Sequence, residues 1–379
     1  MAEDRGESVP FTALYGSNML ALAKILKSLK DKLSMETVSL AKEVKILLDT
    51  LQDSVDYNSI KEKHALLDKY FDAVEFGVSG DQEAIAIDDL IKDLESKGQW
   101  IMEHIRKNEW IKSSEGYEWY NAYYDNDGQR LEGDHEKGVR MTLTGQVFPI
   151  MGNVATDDQI EKITDAADHY LRNDAVGGYT LNTDFKEVKL NMGRAFGFAY
   201  GEKENGAMFS HMAVMYGNAL YQRNFANKGY EVLNSIYSHC SNFEKSRISP
   251  GIPEYIDSRG RGLYHFLTGS ASWLLLTMVN QVYGIQGQLG DLVLAPQLVS
   301  EQFDSENLAS IKTIFADRKL EIIYENQQKK SVNEYSVDTV KINGETIAFS
   351  LDGKKGVLSR NIISELDANE SHKITVILN

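Results

Sequence analysis

The sequence contains one cysteine and only five prolines among its 379 residues. Because Cys240 has no second cysteine to pair with, an intrachain disulfide is excluded, which is typical of proteins from a reducing compartment. Four of the prolines lie late in the chain, at Pro149, Pro250, Pro253 and Pro296. The early chain therefore has long stretches rich in Leu, Ile, Lys and Glu without a helix breaker, and these favour helix.

Positive charge is also scarce, since the net charge is −16. A nucleic-acid partner needs clustered Lys and Arg against its phosphates, so we expect none. One bound phosphate is compatible with this charge, because a few local donors can hold an anion in an acidic protein. The N-terminus lacks a basic region followed by an apolar run, and no apolar stretch looks long enough to span a bilayer. We expect a cytoplasmic protein without a membrane partner.

Several catalytic and metal-binding patterns are missing as well. No histidine pair has the spacing of metal ligands and Cys240 stands alone, so we expect no metal site. The chain has no G-x-S-x-G nucleophile elbow and no P-loop. The segment YDNDG at 124–128 matches a calcium loop only in part, and we interpret it as a turn.

Apolar residues recur every three or four positions through the first two thirds of the chain, which predicts helices. Thr156 and Gln159 have the spacing of a capping box at one helix start. A strongly apolar segment over 267–284 predicts a buried helix. Helical hairpins in series favour part of an α/α toroid. The helices are expected over 17–33, over 38–51 antiparallel to the first, and near 58–74, 81–105, 157–171, 206–222 and 226–241.

Loops and strands interrupt or follow this pattern. Residues 115–133 are rich in aromatic side chains and predict a functional loop or hairpin. The Gly- and Pro-containing stretch 249–262 predicts a loop. Residues 309–379 alternate between apolar and polar, with a hairpin signal at Asn343-Gly344. We therefore expect a mainly α protein, with a partial toroid over 1–295 and a small antiparallel β-sandwich or jelly-roll domain over 296–379.

Two segments carry residues suited to binding an anion and a sugar. Glu204 and Asn205 directly precede a predicted helix, and His211 falls within its first two turns. Thr268 is a predicted N-cap, so the backbone N–H groups of Gly269 and Ser270 would point outward without partners. Unpaired donors and the helix dipole favour phosphate there, and a glycine lets the anion approach the backbone closely.

Each of these residues also has a purely structural interpretation. A lone histidine beside a core helix is commonly hydrogen bonded within the fold. Thr268-Gly269 is equally an ordinary helix start. Glu204 could cap its helix or pair with Lys203. The aromatic residues of 117–124 could pack against the helical wall and not stack on a sugar.

Six segments together resemble the C-terminal part of the phosphorylases of glycoside hydrolase family 94. The resemblance covers most of residues 90–300 and is strongest to 1,2-β-oligoglucan phosphorylases, with β-1,3-glucan phosphorylases as the neighbouring alternative. The matching segments are GYEWYNAYYDNDGQRLEG, RMTLTGQVFPIM, GGYTLNTDF, GRAFGFAYGEKENGAMFSHM, SPGIPEYIDSRGRGLYHFLTGSASW and YGIQGQLGDLVLAPQL.

The resemblance implies inverting phosphorolysis, in which a β-linked gluco-oligosaccharide and phosphate give α-glucose 1-phosphate and a shortened glucan. Phosphate takes the place of the activated water of an inverting glycosidase, so a general acid is needed but no base and no cofactor. Carried over residue by residue, His211, Thr268 and Gly269 bind phosphate. Glu204 contacts the transferred sugar, with Asn205 beside it in the same E-N-G segment.

One part of the family pattern is missing. The family's general acid is an Asp in a D-W-N-D segment, and no such segment occurs in this sequence. We therefore leave the catalytic acid unassigned, expect a C-terminal portion that is inactive by itself, and name an upstream polypeptide that completes the toroid as a candidate partner. The alternatives are a non-catalytic remnant that binds oligosaccharide or phosphate, and a toroidal hydrolase or lyase unrelated to phosphate.

Overall fold

The computed structural model describes residues 6–51, 55–248, 251–265 and 268–379, and it consists of a helical part followed by a β-rich part. The α-helices are α1 (Val9–Leu33), α2 (Ile60–Val74), α3 (Ile87–Asn108), α4 (Thr144–Met151), α5 (Asp157–Tyr170), α6 (Ser210–Gln222), α7 (Ala226–Ser241), α8 (Phe243–Ser246), α9 (Gly269–Thr277) and α10 (Arg360–Ser364).

Short strands connect the helices, and longer strands build the C-terminal part. Those before residue 270 are β1 (Glu7–Ser8), β2 (Thr37–Ala41), β3 (Gln82–Ala86), β4 (Trp110–Lys112), β5 (Glu118–Tyr120), β6 (Tyr123–Tyr124), β7 (Gly133–His135), β8 (Gly138–Arg140), β9 (Arg172–Asn173), β10 (Gly178–Tyr179), β11 (Met208–Phe209), β12 (Tyr255–Ile256) and β13 (Gly262–Leu263). Those after it are β14 (Ile285–Gln288), β15 (Asp291–Leu294), β16 (Leu308–Phe315), β17 (Arg318–Glu325), β18 (Val337–Ile342), β19 (Glu345–Thr346), β20 (Ser350–Asp352), β21 (Lys355–Leu358) and β22 (Ser371–Leu378).

The first helical hairpin joins different segments from those expected. Residues 38–51 do not form the predicted helix, because 37–41 pair as strand β2 with β3 and are followed by short 3-10 turns. The partner of α1 is instead α3, which begins at Ile87. The two helices approach closely, since a Cβ on Gly16 would lie 2.9 Å from Ile101 Cγ2. A strand partner forty residues away thus overrides the local helical pattern.

The helices pack as a row in the order α1, α4, α6, α9, with α3 behind α1 and α7 behind α6. At the centre of this row, residues 144–150 of α4 and 213–221 of α6 are buried. Such a row with a second layer behind it is compatible with the helical domain expected from the sequence. Its closure into a toroid stays a prediction.

Apolar side chains remain exposed at both ends of the row. In α1, Tyr15 and Ile25 are 62% and 54% exposed, and in α9, Leu275 and Leu276 are 66% and 50% exposed. The prediction of a helix within 267–284 is confirmed, but its predicted burial is wrong for these leucines, because no described segment covers that face. Phe266 and Leu267, which precede α9, lie outside the described residues.

Among the described residues, α1 is long and apolar enough, by length and composition alone, to cross a bilayer. The expectation that no stretch of this length exists is therefore wrong. In the structure, Ala23 and Leu26 of this helix pack against Ile87 and Ile91 of α3. This is an arrangement that a core helix of a folded domain also adopts.

The C-terminal part contains a five-stranded sheet in the order β16-β17-β22-β18-β19 and a four-stranded sheet in the order β14-β15-β21-β20. The expectation of purely antiparallel strands is wrong for one pair, since β17 and β22 run parallel. The strands β14 and β15 lie before the expected boundary at 296 and still belong to the four-stranded sheet. The hairpin signal is confirmed, because Asn343 and Gly344 link β18 to β19 with positive φ angles.

Two further local expectations can be compared with the structure. The capping box is confirmed, with Gln159 N–H donating to Thr156 Oγ1 and Thr156 N–H donating to Gln159 Oε1. Of the expected loop over 249–262, Ser249 and Pro250 lie outside the described residues. The remainder contains β12 and β13, which form a three-stranded sheet with β11.

Candidate functional site

The starts of α6 and α9 are held together by the segment that precedes β12. Ser210 N–H, at the first residue of α6, donates to Glu254 O at 2.9 Å. Ser270 Oγ, in the first turn of α9, donates to the neighbouring Pro253 O at 3.0 Å. Because both helix starts are tied to residues 253–254, two segments almost sixty residues apart in sequence lie side by side.

His211 and Gly269 are in contact at this junction. A Cβ added to Gly269 would lie 2.8 Å from His211 Cε1, closer than real side chains allow, so a larger residue here would have to displace the His211 ring. The His211 ring also lies near the Trp273 ring, with centroids 6.3 Å apart. The structure therefore brings together two of the three residues predicted to bind phosphate.

Thr268, the third of them, is the N-cap of α9 as expected. Its Oγ1 accepts the backbone N–H of Ser270 at 3.2 Å, so the expectation that this N–H is unpaired is wrong. Since Ser270 Oγ donates to Pro253 O, the 2.9 Å contact between the two hydroxyls uses the Thr268 proton. An anion would meet the Gly269 N–H at the positive end of the helix dipole, and the Thr268 hydroxyl would have to turn toward it.

The His211 ring offers an unused nitrogen. Within the described residues, its Nε2 is buried and has no hydrogen-bond partner. Burial lowers the pKa of His211, and the Glu254 carboxylate opposes this only in part. A largely neutral imidazole can donate one N–H to a phosphate oxygen, and a bound dianion would favour its protonated form.

A lysine that the sequence analysis did not select lies at the same edge. Lys203 Nζ is 3.8 Å from Glu254 Oε2 and 4.0 Å from the centroid of the Tyr264 ring. Among the described residues Lys203 is thus paired with Glu254, and its pairing with Glu204 stays an alternative. The sequence shows only that Lys203 is a charged residue next to Glu204. Its contact with Glu254 could not be predicted, because Glu254 is about fifty residues away and directly precedes β12.

Glu204 lines a cavity of 330 Å³ beside this junction. Aromatic and apolar side chains form most of its wall, and a few polar groups stand among them, as is usual for small-molecule sites. Such a surface suits the apolar faces and the hydroxyls of a sugar. The other lining residues are Phe11, Tyr123, Thr142, Thr144, Phe148, Leu181, Asn182, Met192, Phe196, Phe209 and Met212.

Asn205 holds the loop that presents Glu204. Its side-chain amide donates to Phe198 O at 2.8 Å and accepts from Asn182 Nδ2 at 3.1 Å. Asn182 in turn accepts the N–H of Gly206 at 2.8 Å. The geometry therefore assigns Asn205 to positioning, and direct contact of Asn205 with a sugar stays a prediction.

A buried carboxyl behind the cavity wall also escaped the sequence analysis. Glu132 Oε1 accepts from Thr142 Oγ1 at 2.6 Å, and Glu132 Oε2 accepts from Trp119 Nε1 at 2.9 Å. Burial raises the pKa of Glu132 to about 8, although these hydrogen bonds act in the opposite direction. No local pattern marks such a residue, because its burial depends on partners ten or more positions away.

The aromatic segment 117–124 divides between the two proposed roles. Trp119 and Tyr120 are fully buried, so the packing interpretation applies to them. Tyr123 instead lines the Glu204 cavity. At the adjoining turn, burial alone would raise the pKa of Asp125, but hydrogen bonds from backbone N–H groups keep it below its usual value. An ionised, structurally engaged carboxylate of this kind is unsuited to donating a proton.

Comparison with known proteins gives a consistent set of relatives. The model of the glycosyl hydrolase 94 superfamily catalytic domain matches residues 84–284, just over half of the chain and including Glu204, His211, Thr268 and Gly269. A cellobionic acid phosphorylase of Neurospora crassa is 23% identical over 195 residues, which are 48% of this chain and 24% of that protein. A solabiose phosphorylase of Paenibacillus borealis is 21% identical over 286 residues, 72% of this chain and 35% of the relative.

A third relative has the same kind of activity in its name. It is a 3-O-beta-D-glucopyranosyl-beta-D-glucuronide phosphorylase of Paenibacillus borealis, 22% identical over 190 residues, 47% of this chain and 24% of that protein. The chain thus spans between about a quarter and about a third of the length of these curated relatives.

Proposed function

The chain belongs to the glycosyl hydrolase 94 superfamily, and from this premise we propose that it forms the phosphate- and sugar-binding part of an inverting β-glucan phosphorylase. Its relatives are named as phosphorylases of disaccharides or related glucosides, so sugar and phosphate are the substrates to expect. We propose β-1,2-linked oligoglucans as the specific substrate, with β-1,3-linked glucans as the alternative.

The contact between His211 and Gly269 is the observation that carries this proposal. It places a buried imidazole nitrogen, without a hydrogen-bond partner among the described residues, against the N-terminus of α9, where a backbone N–H and the helix dipole favour an anion. Lys203, paired with the Glu254 carboxylate, lies at the same edge. The aromatic cavity with Glu204 opens beside them, so a phosphate and a glucosyl unit could be bound next to each other.

The reaction then needs little chemistry from these residues. A phosphate oxygen attacks the anomeric carbon while the bond to the glycosidic oxygen breaks, and that oxygen must receive a proton from a carboxylic acid. Asp125 is held ionised in its turn, and Glu132 is enclosed behind Thr142. We propose that the acid comes from polypeptide outside these 379 residues, and that the chain by itself does not turn over.

The exposed ends of the helical row support a partner that is itself helical. The apolar faces of α1 and α9 flank the row on either side, and apolar surface of this kind is commonly covered by another segment. We propose that further helices, which also supply the acid, pack against both ends and complete a toroid.

Release of orthophosphate from α-glucose 1-phosphate and a β-1,2-oligoglucan tests the proposal. We expect no release with the 379-residue chain and release when it is co-expressed with the polypeptide encoded directly upstream. Turnover by the chain alone would contradict the proposed source of the acid.

The absence of a D-W-N-D segment also favours a second candidate, a non-catalytic protein that binds oligosaccharide or phosphate. Binding of phosphate without turnover, even in the presence of the upstream polypeptide, would support that candidate. If neither phosphate nor a β-linked oligosaccharide binds, both candidates are wrong.

A further inference from the structure

A larger cavity of 670 Å³ lies at the opposite end of the same helices. It is bounded by the C-terminal ends of α4 and α6, by the π-helical turn Met278–Val282 after α9, and by the C-terminal sheets. Since Gln222, which lines the cavity, is eleven residues after His211 on α6, the two are separated by about 17 Å along the helix. It is thus a separate place from the phosphate and sugar residues described above.

Side-chain carboxamides dominate the wall of this cavity, which we call the amide cavity. They come from three helix ends, from strand β14, from the link between the two parts and from a loop of the β-rich part. A carboxamide both donates and accepts hydrogen bonds, as does a sugar hydroxyl. The seven carboxamide residues are Asn153, Gln222, Asn224, Gln281, Gln286, Gln297 and Asn333.

Most of these carboxamides are available to a ligand. Gln222 donates to Asn218 Oδ1 and Gln286 donates to Asn280 O, and the oxygen of each side chain has no hydrogen-bond donor among the described residues. The other five side chains make no hydrogen bond to the part of the chain that the structure describes, and their groups face the cavity or solvent. A set of unused donors and acceptors on fixed elements is a surface prepared for a polar ligand.

Two of the cations that line the cavity, Arg223 and Lys354, donate to acceptors within the fold. Arg223 donates to Ala155 O at 2.8 Å and to Asp157 Oδ1 at 2.7 Å. Lys354 Nζ donates to Asn333 O. Asp352 and Lys355 remain at the rim with opposite charges. Unlike the His211 junction, which has a helix N-terminus, this cavity faces the C-terminal ends of α4 and α6, whose negative dipole ends disfavour an anion, so a neutral ligand fits better.

Between the carboxamides the wall is apolar and firmly built. Met151, Pro296 and Val332 line it, and the Tyr335 hydroxyl donates to Leu298 O at 2.9 Å. The Gln297 N–H donates to Val282 O at 2.9 Å, which fixes Gln297 next to the turn that carries Gln281. The carboxamides can form hydrogen bonds with the hydroxyls of a pyranose ring, and the apolar side chains between them can pack against its C–H faces.

We propose that the amide cavity is a second carbohydrate site, which holds a neutral gluco-oligosaccharide away from the place of phosphorolysis. The proposal rests on the carboxamides and the apolar wall, and it does not depend on the phosphate assignment. A glucan held there would keep a long substrate associated with the protein between successive reactions.

Calorimetric titration of the 379-residue chain with a β-1,2-linked glucopentaose tests this site. We expect the double variant Gln281→Ala/Gln297→Ala to weaken binding at one class of sites by about tenfold or more, as the loss of two hydrogen-bonding side chains predicts. Phosphate binding should stay unchanged in that variant. The matched control is Gln99→Ala, because Gln99 is exposed on α3 away from the cavity.

The outcomes separate this site from the Glu204 cavity. If Glu204→Ala abolishes all oligosaccharide binding and the double variant none, the amide cavity is not a carbohydrate site. Absence of pentaose binding in the unaltered chain would also overturn the proposal. Unfolding midpoints measured by circular dichroism confirm that the variants are folded, and the exposed substitution Asn333→Ala provides a second variant should the first destabilise the chain.

Discussion

The centre of the helical row and its two ends differ in where their leucines lie. Leu220 of α6 is completely buried, whereas Leu275 of α9 is 66% exposed, although both belong to apolar helices of the same row. The ends nevertheless carry much of the proposed site, because Thr268 and Gly269 begin α9 and Phe11 of α1 lines the Glu204 cavity. The centre of the row thus provides most of the buried core, whereas binding is shared, because His211 at the start of α6 meets the start of α9.

The largest expected effect comes from substituting one leucine in each place. Leu220→Ala should lower the free energy of unfolding by about 2–5 kcal/mol, because it opens a cavity in the packed centre. Leu275→Ala should change it by less than about 0.5 kcal/mol, since the side chain is mostly in water. Urea denaturation followed by circular dichroism measures both. Equal costs would contradict the comparison and indicate that another chain covers α9 in solution.

The buried carboxyl of Glu132 should make the stability of the protein depend on pH, which an exposed carboxyl would not do. Burial raises the pKa of its carboxyl to about 8, above the ordinary value near 4.5. The stability that this raised pKa contributes is fully present below about pH 4.5 and is lost as the pH rises toward 8. A shift of this size corresponds to a loss of the order of 5 kcal/mol.

The substitution Glu132→Gln isolates this contribution, because glutamine has nearly the same shape and does not titrate. We expect the unfolding free energy of the variant to vary less between pH 5 and pH 8.5 than that of the unaltered chain. The matched control is Glu136→Gln, at an exposed position on the β7–β8 turn. Parallel pH profiles for all three proteins would show that Glu132 titrates normally.

Features that depend on neighbouring residues could be predicted from the sequence, whereas features that depend on distant segments could not. The capping box at Thr156, the Asn343-Gly344 turn and the helix over 226–241 depend on neighbours in sequence, and all three are found. The strand over 37–41 and the parallel pairing of β17 with β22 depend on partners over forty residues away, and periodicity does not reveal them. Burial of α9 was predicted from its apolar composition, which does not reveal whether another segment covers it.

The candidate site shows the same limit. Family resemblance selected His211 and Gly269, and the structure places them in contact. Neither Lys203 beside Glu254 nor Glu132 beneath Thr142 could be found in this way, because each role arises from contacts between distant segments. The predicted helix start also implied an unpaired Ser270 N–H, whereas in the structure this N–H donates a hydrogen bond to the side chain of the N-cap Thr268.

At the α9 end, Gly269→Ala should act on binding more than on stability. The new Cβ would displace the His211 ring, while alanine favours helix over glycine by about 0.5–1 kcal/mol and offsets part of the strain. We expect phosphate affinity to fall by about tenfold or more in a calorimetric titration. Because burial lowers the pKa of His211, displacement of the ring toward solvent should raise that pKa, which histidine NMR signals report.

The control for this variant is Gly287→Ala in β14, where the added Cβ would make only an ordinary contact with Phe315 at 3.5 Å. It should leave phosphate affinity and the His211 titration unchanged. Full phosphate affinity in Gly269→Ala would mean that no anion approaches the backbone at α9.

Thr268→Val gives the smallest expected effect and separates capping from binding at the same side chain. Loss of the hydroxyl removes the cap on Ser270 N–H and should lower the free energy of unfolding by about 1 kcal/mol. If the hydroxyl also turns toward phosphate, the affinity falls by a further factor of about ten. Thr268→Ser keeps the hydroxyl and should retain both properties. A valine variant that loses only stability would make Thr268 a cap alone, and would leave phosphate to His211, Gly269 and the charge of Lys203.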